Sequence, residues 1–180
     1  MTRLRSLLPL VASICLLAGF SSCTYFGVNA RPVPPPGTKV TWPPANFAEV
    51  RGYCYDYTAE ESRSFFVNGR MHQGVMDPKG VVLTPDQVRQ LLAAITVSHG
   101  KQPRTPCYKP HHAFVFYDAQ GGVAAVFEMC FGCNKFMETP EGLPEYVDTA
   151  ALHALCKELG LPLGEGNEFY KDVCQRRRVR

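Results

Sequence analysis

The feature that most narrows the fold of this chain is a hairpin written into residues 112–130. His112-Ala113-Phe114-Val115-Phe116-Tyr117 and the run from Val123 to Cys130 are strand-like, and Asp118-Ala119-Gln120-Gly121-Gly122 between them is built of turn formers. A turn at Gln120 and Gly121 sets Phe114 across from Phe127 and Phe116 across from Ala125, which makes one apolar face. The same register puts His111 opposite Cys130 and draws Cys107 towards Cys133. Cys107, His111, His112, Cys130 and Cys133 are therefore expected to converge at the open end of the hairpin. A slip of one residue would exchange which histidine points inward.

Two helices flank this hairpin in sequence. In Leu83-Thr84-Pro85-Asp86-Gln87-Val88, Thr84 caps, Pro85 takes the first helical position, Gln87 closes a capping box, and Leu83 with Val88 forms a hydrophobic staple. Val88, Leu91, Leu92 and Ile95 continue it as a one-sided apolar stripe. A second helix follows Asp148, with Leu152, Leu155, Cys156 and Leu159 on one stripe, and stops at Gly160 before Pro162. Further strands are expected over Glu49–Tyr57, Ser64–Val67 and Met71–Met76, the last turning through Asp77-Pro78-Lys79-Gly80 into Val81-Val82. Hairpins mixed with helices, without regular β-α-β alternation, predict an α+β domain: a small antiparallel sheet packed against two main helices on one face.

The chain opens with Arg3 and Arg5, an apolar stretch from Leu7 to Phe20, and the small residues Ser21 and Ser22. That is the order of a secretory signal, and the apolar run is shorter than the roughly 20 residues a membrane-spanning helix needs. Leu17-Ala18-Gly19-Phe20-Ser21-Ser22-Cys23 resembles a bacterial lipobox, with Phe20 standing where the pattern usually has an aliphatic residue. The resemblance implies residues 1–22 as a lipoprotein signal peptide and a lipid, palmitate among its acyl chains, on Cys23. The alternative is ordinary cleavage after Ala30, at Val28-Asn29-Ala30, which lies far past the apolar core. Both export the protein. Under lipoprotein sorting, Thr24 in place of an aspartate points to the outer membrane, with the domain facing the periplasm and the bilayer as its partner through the anchor.

The prolines of Arg31-Pro32-Val33-Pro34-Pro35-Pro36-Gly37 and Trp42-Pro43-Pro44 predict a semi-rigid spacer over residues 23–46, a single domain over 47–175 and a basic tail over 176–180. About 130 residues suffice for one hydrophobic core. Without residues 1–22 the chain carries seventeen cations against sixteen acids, and four of those cations lie in Arg176-Arg177-Arg178-Val179-Arg180. The pI above 8 is thus a tail effect. With no basic patch interleaved with aromatics, nucleic acid is not expected as a partner. An envelope partner is, and the basic tail reads as a solvated terminus in preference to a contact with an anionic surface.

The converging cysteines and histidines admit three readings. Six cysteines besides Cys15 and Cys23, in an oxidising compartment, suggest up to three disulfides among a set that includes Cys54, Cys107, Cys130, Cys133 and Cys174. Cys156, on a helix stripe, equally suits a buried thiol. Alternatively Cys107, His111, Cys130 and Cys133, with His112 nearby, form a three-sulfur, one-nitrogen set suited to zinc, and copper is the other candidate. The third reading is thiol redox chemistry at Cys130-Phe131-Gly132-Cys133, although no helix is expected to follow it. Catalytic residues are not assigned: His111 with Glu128 is an exposed cross-strand pair, His72, His99 and His153 stand alone, and Tyr53, Tyr55 and Tyr57 suit sheet packing better than a ligand platform. The Cys107-x3-His111 and Cys130-x2-Cys133 hairpin pattern resembles one seen in uncharacterised bacterial proteins. That resemblance implies no activity, only that these residues act as a unit. The sequence thus predicts a non-enzymatic binding or structural module of the envelope, with metal binding or thiol redox as its rival.

Overall fold

A computed structural model describes residues 33–178, with side chains to residue 176. The signal segment, Cys23 and Ala30 lie outside the described residues. The domain is α+β. Its main sheet has five antiparallel strands in the order β4-β1-β5-β6-β7: β1 (Glu49–Cys54), β4 (Val81–Val82), β5 (His112–Tyr117), β6 (Val123–Cys130) and β7 (Lys135–Thr139). A separate two-stranded ribbon pairs β2 (Phe66–Val67) with β3 (Arg70–Met71).

The β5–β6 hairpin has the expected register: Phe114 pairs with Phe127 and Phe116 with Ala125, and an irregularity at Tyr117 absorbs the turn. Of the expected strand over Met71–Met76 only Met71 lies in a strand, and Val75 makes an isolated antiparallel bridge to Tyr55. Past Met71, His72 Nδ1 accepts from the Gly74 amide at 2.9 Å and the Val75 amide donates to the His72 carbonyl, so the chain curls instead of extending.

Helix α1 (Pro85–Thr96) carries the full capping box between Thr84 and Gln87, with proline at its start. Helix α2 (Thr149–Glu158) is capped by Asp148, whose carboxylate accepts from the Ala151 amide. A third helix, α3 (Gly166–Arg178), was not expected; it takes in the head of the supposed basic tail, where Arg176 pairs with Asp172.

Alternation along the strands divides the buried side chains into two layers. Phe114, Phe116, Phe127, Met129, Val50 and Cys54 face the three helices, meeting Leu91 and Ile95, Leu152 and Leu155, and Tyr170 and Cys174. Tyr53, Tyr55, Ala113, Val115 and Val126 face the other way, under Phe65 and the β2–β3 ribbon. The tyrosine row of β1 is therefore packing: Tyr53 meets Tyr117 hydroxyl to hydroxyl at 2.7 Å, and Tyr55 donates to the Arg63 carbonyl.

The proline-rich segment corrects the domain boundary. From Gly37 onward it is docked, not a free spacer: the Gly37 amide donates to Ser98, Val40 to Thr96, and Ser98 back to Thr38. Trp42 is buried in the main core, edge-on to Phe116 at 5.1 Å, with its indole N–H on the Pro140 carbonyl at 2.8 Å.

Candidate functional site

Three pieces of chain meet at the open end of the hairpin. Cys107 comes from the long loop between α1 and β5, which is fastened by Arg104 Nε to the Asn134 carbonyl (3.0 Å) and by Asn134 Nδ2 to the Pro103 carbonyl (2.9 Å). Cys130 ends β6. Cys133 closes the 3-10 turn Phe131–Cys133, after which Asn134 adopts a left-handed backbone (φ 51°) and returns the chain into β7. Asparagine tolerates that conformation better than most residues, and so lets the Cys-x2-Cys segment fold back this tightly.

Cys107 and Cys133 form a disulfide with a Cα separation of 6.0 Å, within the ordinary range for such bonds. Cys130 is a buried thiol beside it that accepts the Lys109 amide at 3.4 Å, and burial pushes its pKa up. The sulfurs of Cys107, Cys130 and Cys133 lie within 4.8 Å of one another, a group that could hold a metal ion. They border a cavity of about 540 Å³ shared with His111, His112 and His153 and walled on one side by residues 164–167 and Tyr170.

The other cysteines expected in disulfides, Cys54, Cys130 and Cys174, are not so bonded and are buried thiols, as is Cys156, which the sequence equally allowed as one. Cys54 instead shares a buried cluster with Cys174, whose side chain is the largest influence pushing the Cys54 thiol up. Burial alone pushes Cys156 up to about 12.

The histidines expected as ligands line the cavity but do not join the sulfur group. His111 Nδ1 donates to the Tyr55 carbonyl at 3.0 Å, Asn167 hydrogen-bonds the side chain, and the ring lies flat on Tyr170 at 3.7 Å and 8°. These contacts pin the imidazole away from the sulfurs. His112 is fully buried; its Nε2 donates to the Pro162 carbonyl at 2.8 Å, which leaves Nδ1 as a lone-pair acceptor. That Nδ1 is the buried side-chain polar atom without a hydrogen-bond partner among the described residues. His111 and Glu128 do not form the acid/base pair considered from sequence, because Glu128 is buried against Tyr55 and Tyr108, its carboxyl raised by that burial.

No family model, curated protein or solved structure matches this chain. The site therefore has to be read from its own chemistry. Sequence reasoning passed over His153 and the α3 wall of Asn167 and Tyr170. His153 shows no motif, but it sits one turn before Lys157 on α2 with its ring edge-on to Phe131 at 5.4 Å.

One prediction arises directly from His112. Burial lowers its pKa from 6.5 to about 4. Below pH 6.5 the unfolded chain binds a proton that the folded state refuses until about pH 4, so stability should fall on acidification across that window. The full effect is about 3 kcal/mol, and buried His111 shifts the same way. Urea unfolding at pH 7 and pH 4 should show a markedly smaller loss in His112→Gln; an equal loss in both proteins would refute the assignment.

Proposed function

We propose that this protein is an exported, lipid-anchored binding module of the cell envelope, and that its ligand is a soft metal ion, zinc first, taken up by Cys107, Cys130 and Cys133 once the disulfide is reduced. The observation that carries the reading is the approach of the three sulfurs to within 4.8 Å. Thiolates about 2.3 Å from a tetrahedral zinc stand roughly 3.8 Å apart, so the group needs little rearrangement to close on an ion. Three protein donors leave one coordination position facing the cavity, open to a small ligand or a fourth donor. Copper(I) is satisfied by the same soft donors.

A second reading is favoured by the Cys107–Cys133 bond itself, which in an oxidising compartment would be a permanent staple. The two differ in what reduction does. Under the metal reading the reduced, folded protein takes up one zinc, and Cys130→Ser weakens it by more than the roughly 10–100-fold that a merely supporting residue contributes. Titration with zinc against a competing chelator reads this, and equal affinity in wild type and Cys130→Ser would sink the metal reading.

A further inference from the structure

We infer that Cys54 and Cys174 are a second oxidisable pair, which closes to a disulfide clamping α3 onto β1. The inference goes beyond the metal reading and uses none of its ligands. Cys54 is the last residue of β1 and pairs with His112 of β5. Tyr170 and Cys174 lie one turn apart on the buried face of α3. Tyr170 is fixed flat on His111 and edge-on to His112 at 5.7 Å, so the next turn of α3 comes down over the end of β1. There Cys174 joins Cys54 in one buried cluster, and its side chain is the largest influence on the Cys54 thiol. Cys156 of α2 also lies close enough to act on Cys54, but more weakly than Cys174 does.

Both residues are almost wholly buried, Cys54 at 1% and Cys174 at 2% exposure, so a donor reaches them only when α3 lifts from the sheet. Lifting separates a single helix face, that of Phe169, Tyr170, Val173 and Cys174, and costs less than global unfolding. The oxidant is a disulfide, carried by a small molecule or by a protein. The Cys174 thiolate attacks it, forming a mixed disulfide and expelling one donor sulfur as thiol. As α3 redocks, the Cys54 thiolate attacks the Cys174 sulfur and expels the second. The two thiol protons end on the two donor thiols, and the two electrons reduce the donor's S–S bond. The clamp also fixes one wall of the three-sulfur cavity, since Asn167 and Tyr170 belong to α3.

The test uses the full chain, reduced, then held natively with oxidised glutathione and mapped by peptide mass after alkylation in denaturant. A peptide linking Cys54 to Cys174 is expected, with a rise in Tm of about 10 °C from closing a long loop. Cys174→Ser should lack the link and show a rise in Tm smaller by that amount, keeping only the part that closing Cys107–Cys133 contributes. Alkylation of Cys54 and Cys174 after prolonged oxidation, or a link from Cys54 to Cys156, would overturn the inference. Should Cys174→Ser fail to fold, the wild-type map alone decides.

Discussion

Trp42→Ala should lower the free energy of unfolding by about 3–5 kcal/mol, the range for removing a large buried aromatic side chain. Trp42 is 4% exposed, stands edge-on to Phe116 and donates its indole N–H to the Pro140 carbonyl, so alanine leaves a cavity at the sheet and an unanswered carbonyl. Phe47, on the same ring of Phe116 at 5.1 Å, cannot fill it without leaving its own place. Residues 37–42 would then keep their backbone bonds to Thr96 and Ser98 and the packing of Val40 on the core. The expectation separates two views of the proline-rich segment. A spacer can lose its tryptophan at no cost, whereas a docked arm cannot. Urea denaturation reads the difference, and a change below about 0.5 kcal/mol, the ordinary scale of surface substitutions, would return the segment to the role of spacer.

Cys107→Ser should act twice. In the oxidised protein it opens a cross-link between residues 26 apart in sequence, which by loop entropy alone costs about 3.5 kcal/mol. It also frees Cys133 beside Cys130, two thiols without their third partner. In the reduced protein, where no cross-link exists to lose, the stability cost should nearly vanish while zinc affinity falls steeply. The variant therefore yields a large thermal shift without reductant and a small one with it. A large loss in both conditions would mean that Cys107 matters mainly for packing, contrary to its partly exposed position in the loop.

The two best-read elements show what makes a segment legible. The β5–β6 hairpin and α1 each carry their own signal, a period of two around a five-residue turn and a capping box ahead of an apolar stripe, so local chemistry and tertiary packing agree. The register then brought Cys107 to Cys133 without further assumption. What distinguishes Cys133 from Cys130 as the bonded partner is the tight 3-10 turn and left-handed Asn134, which turn one sulfur towards the loop and leave the other under the Lys109 amide. Alternation alone does not supply that.

Helix α3 was missed because its apolar face is narrow, four residues at 169, 170, 173 and 174 among charges, and the arginines beyond them read as a solvated tail. Its stripe was nonetheless present at helical spacing. Strand β7 lacks a comparable mark, since Lys135–Thr139 mixes polar residues with Phe136 and Met137, and it takes its place by pairing with β6 and stacking Phe136 on Phe127. His111 was placed correctly at the hairpin's end yet is held by Tyr55 and Tyr170, partners 56 and 59 residues away in sequence that no local pattern announces.

The three sulfurs are proposed to form a metal site gated by reduction. The most direct measurement is the native mass of the folded chain offered zinc before and after reduction, with its free thiols counted in parallel by alkylation. No zinc and a closed Cys107–Cys133 bond are expected before reduction, and one tightly held zinc that shields Cys107, Cys130 and Cys133 from alkylation afterwards. A reduced, folded chain that stays metal-free, with those three thiols fully alkylated in the presence of zinc, would contradict it and leave the cluster a structural staple.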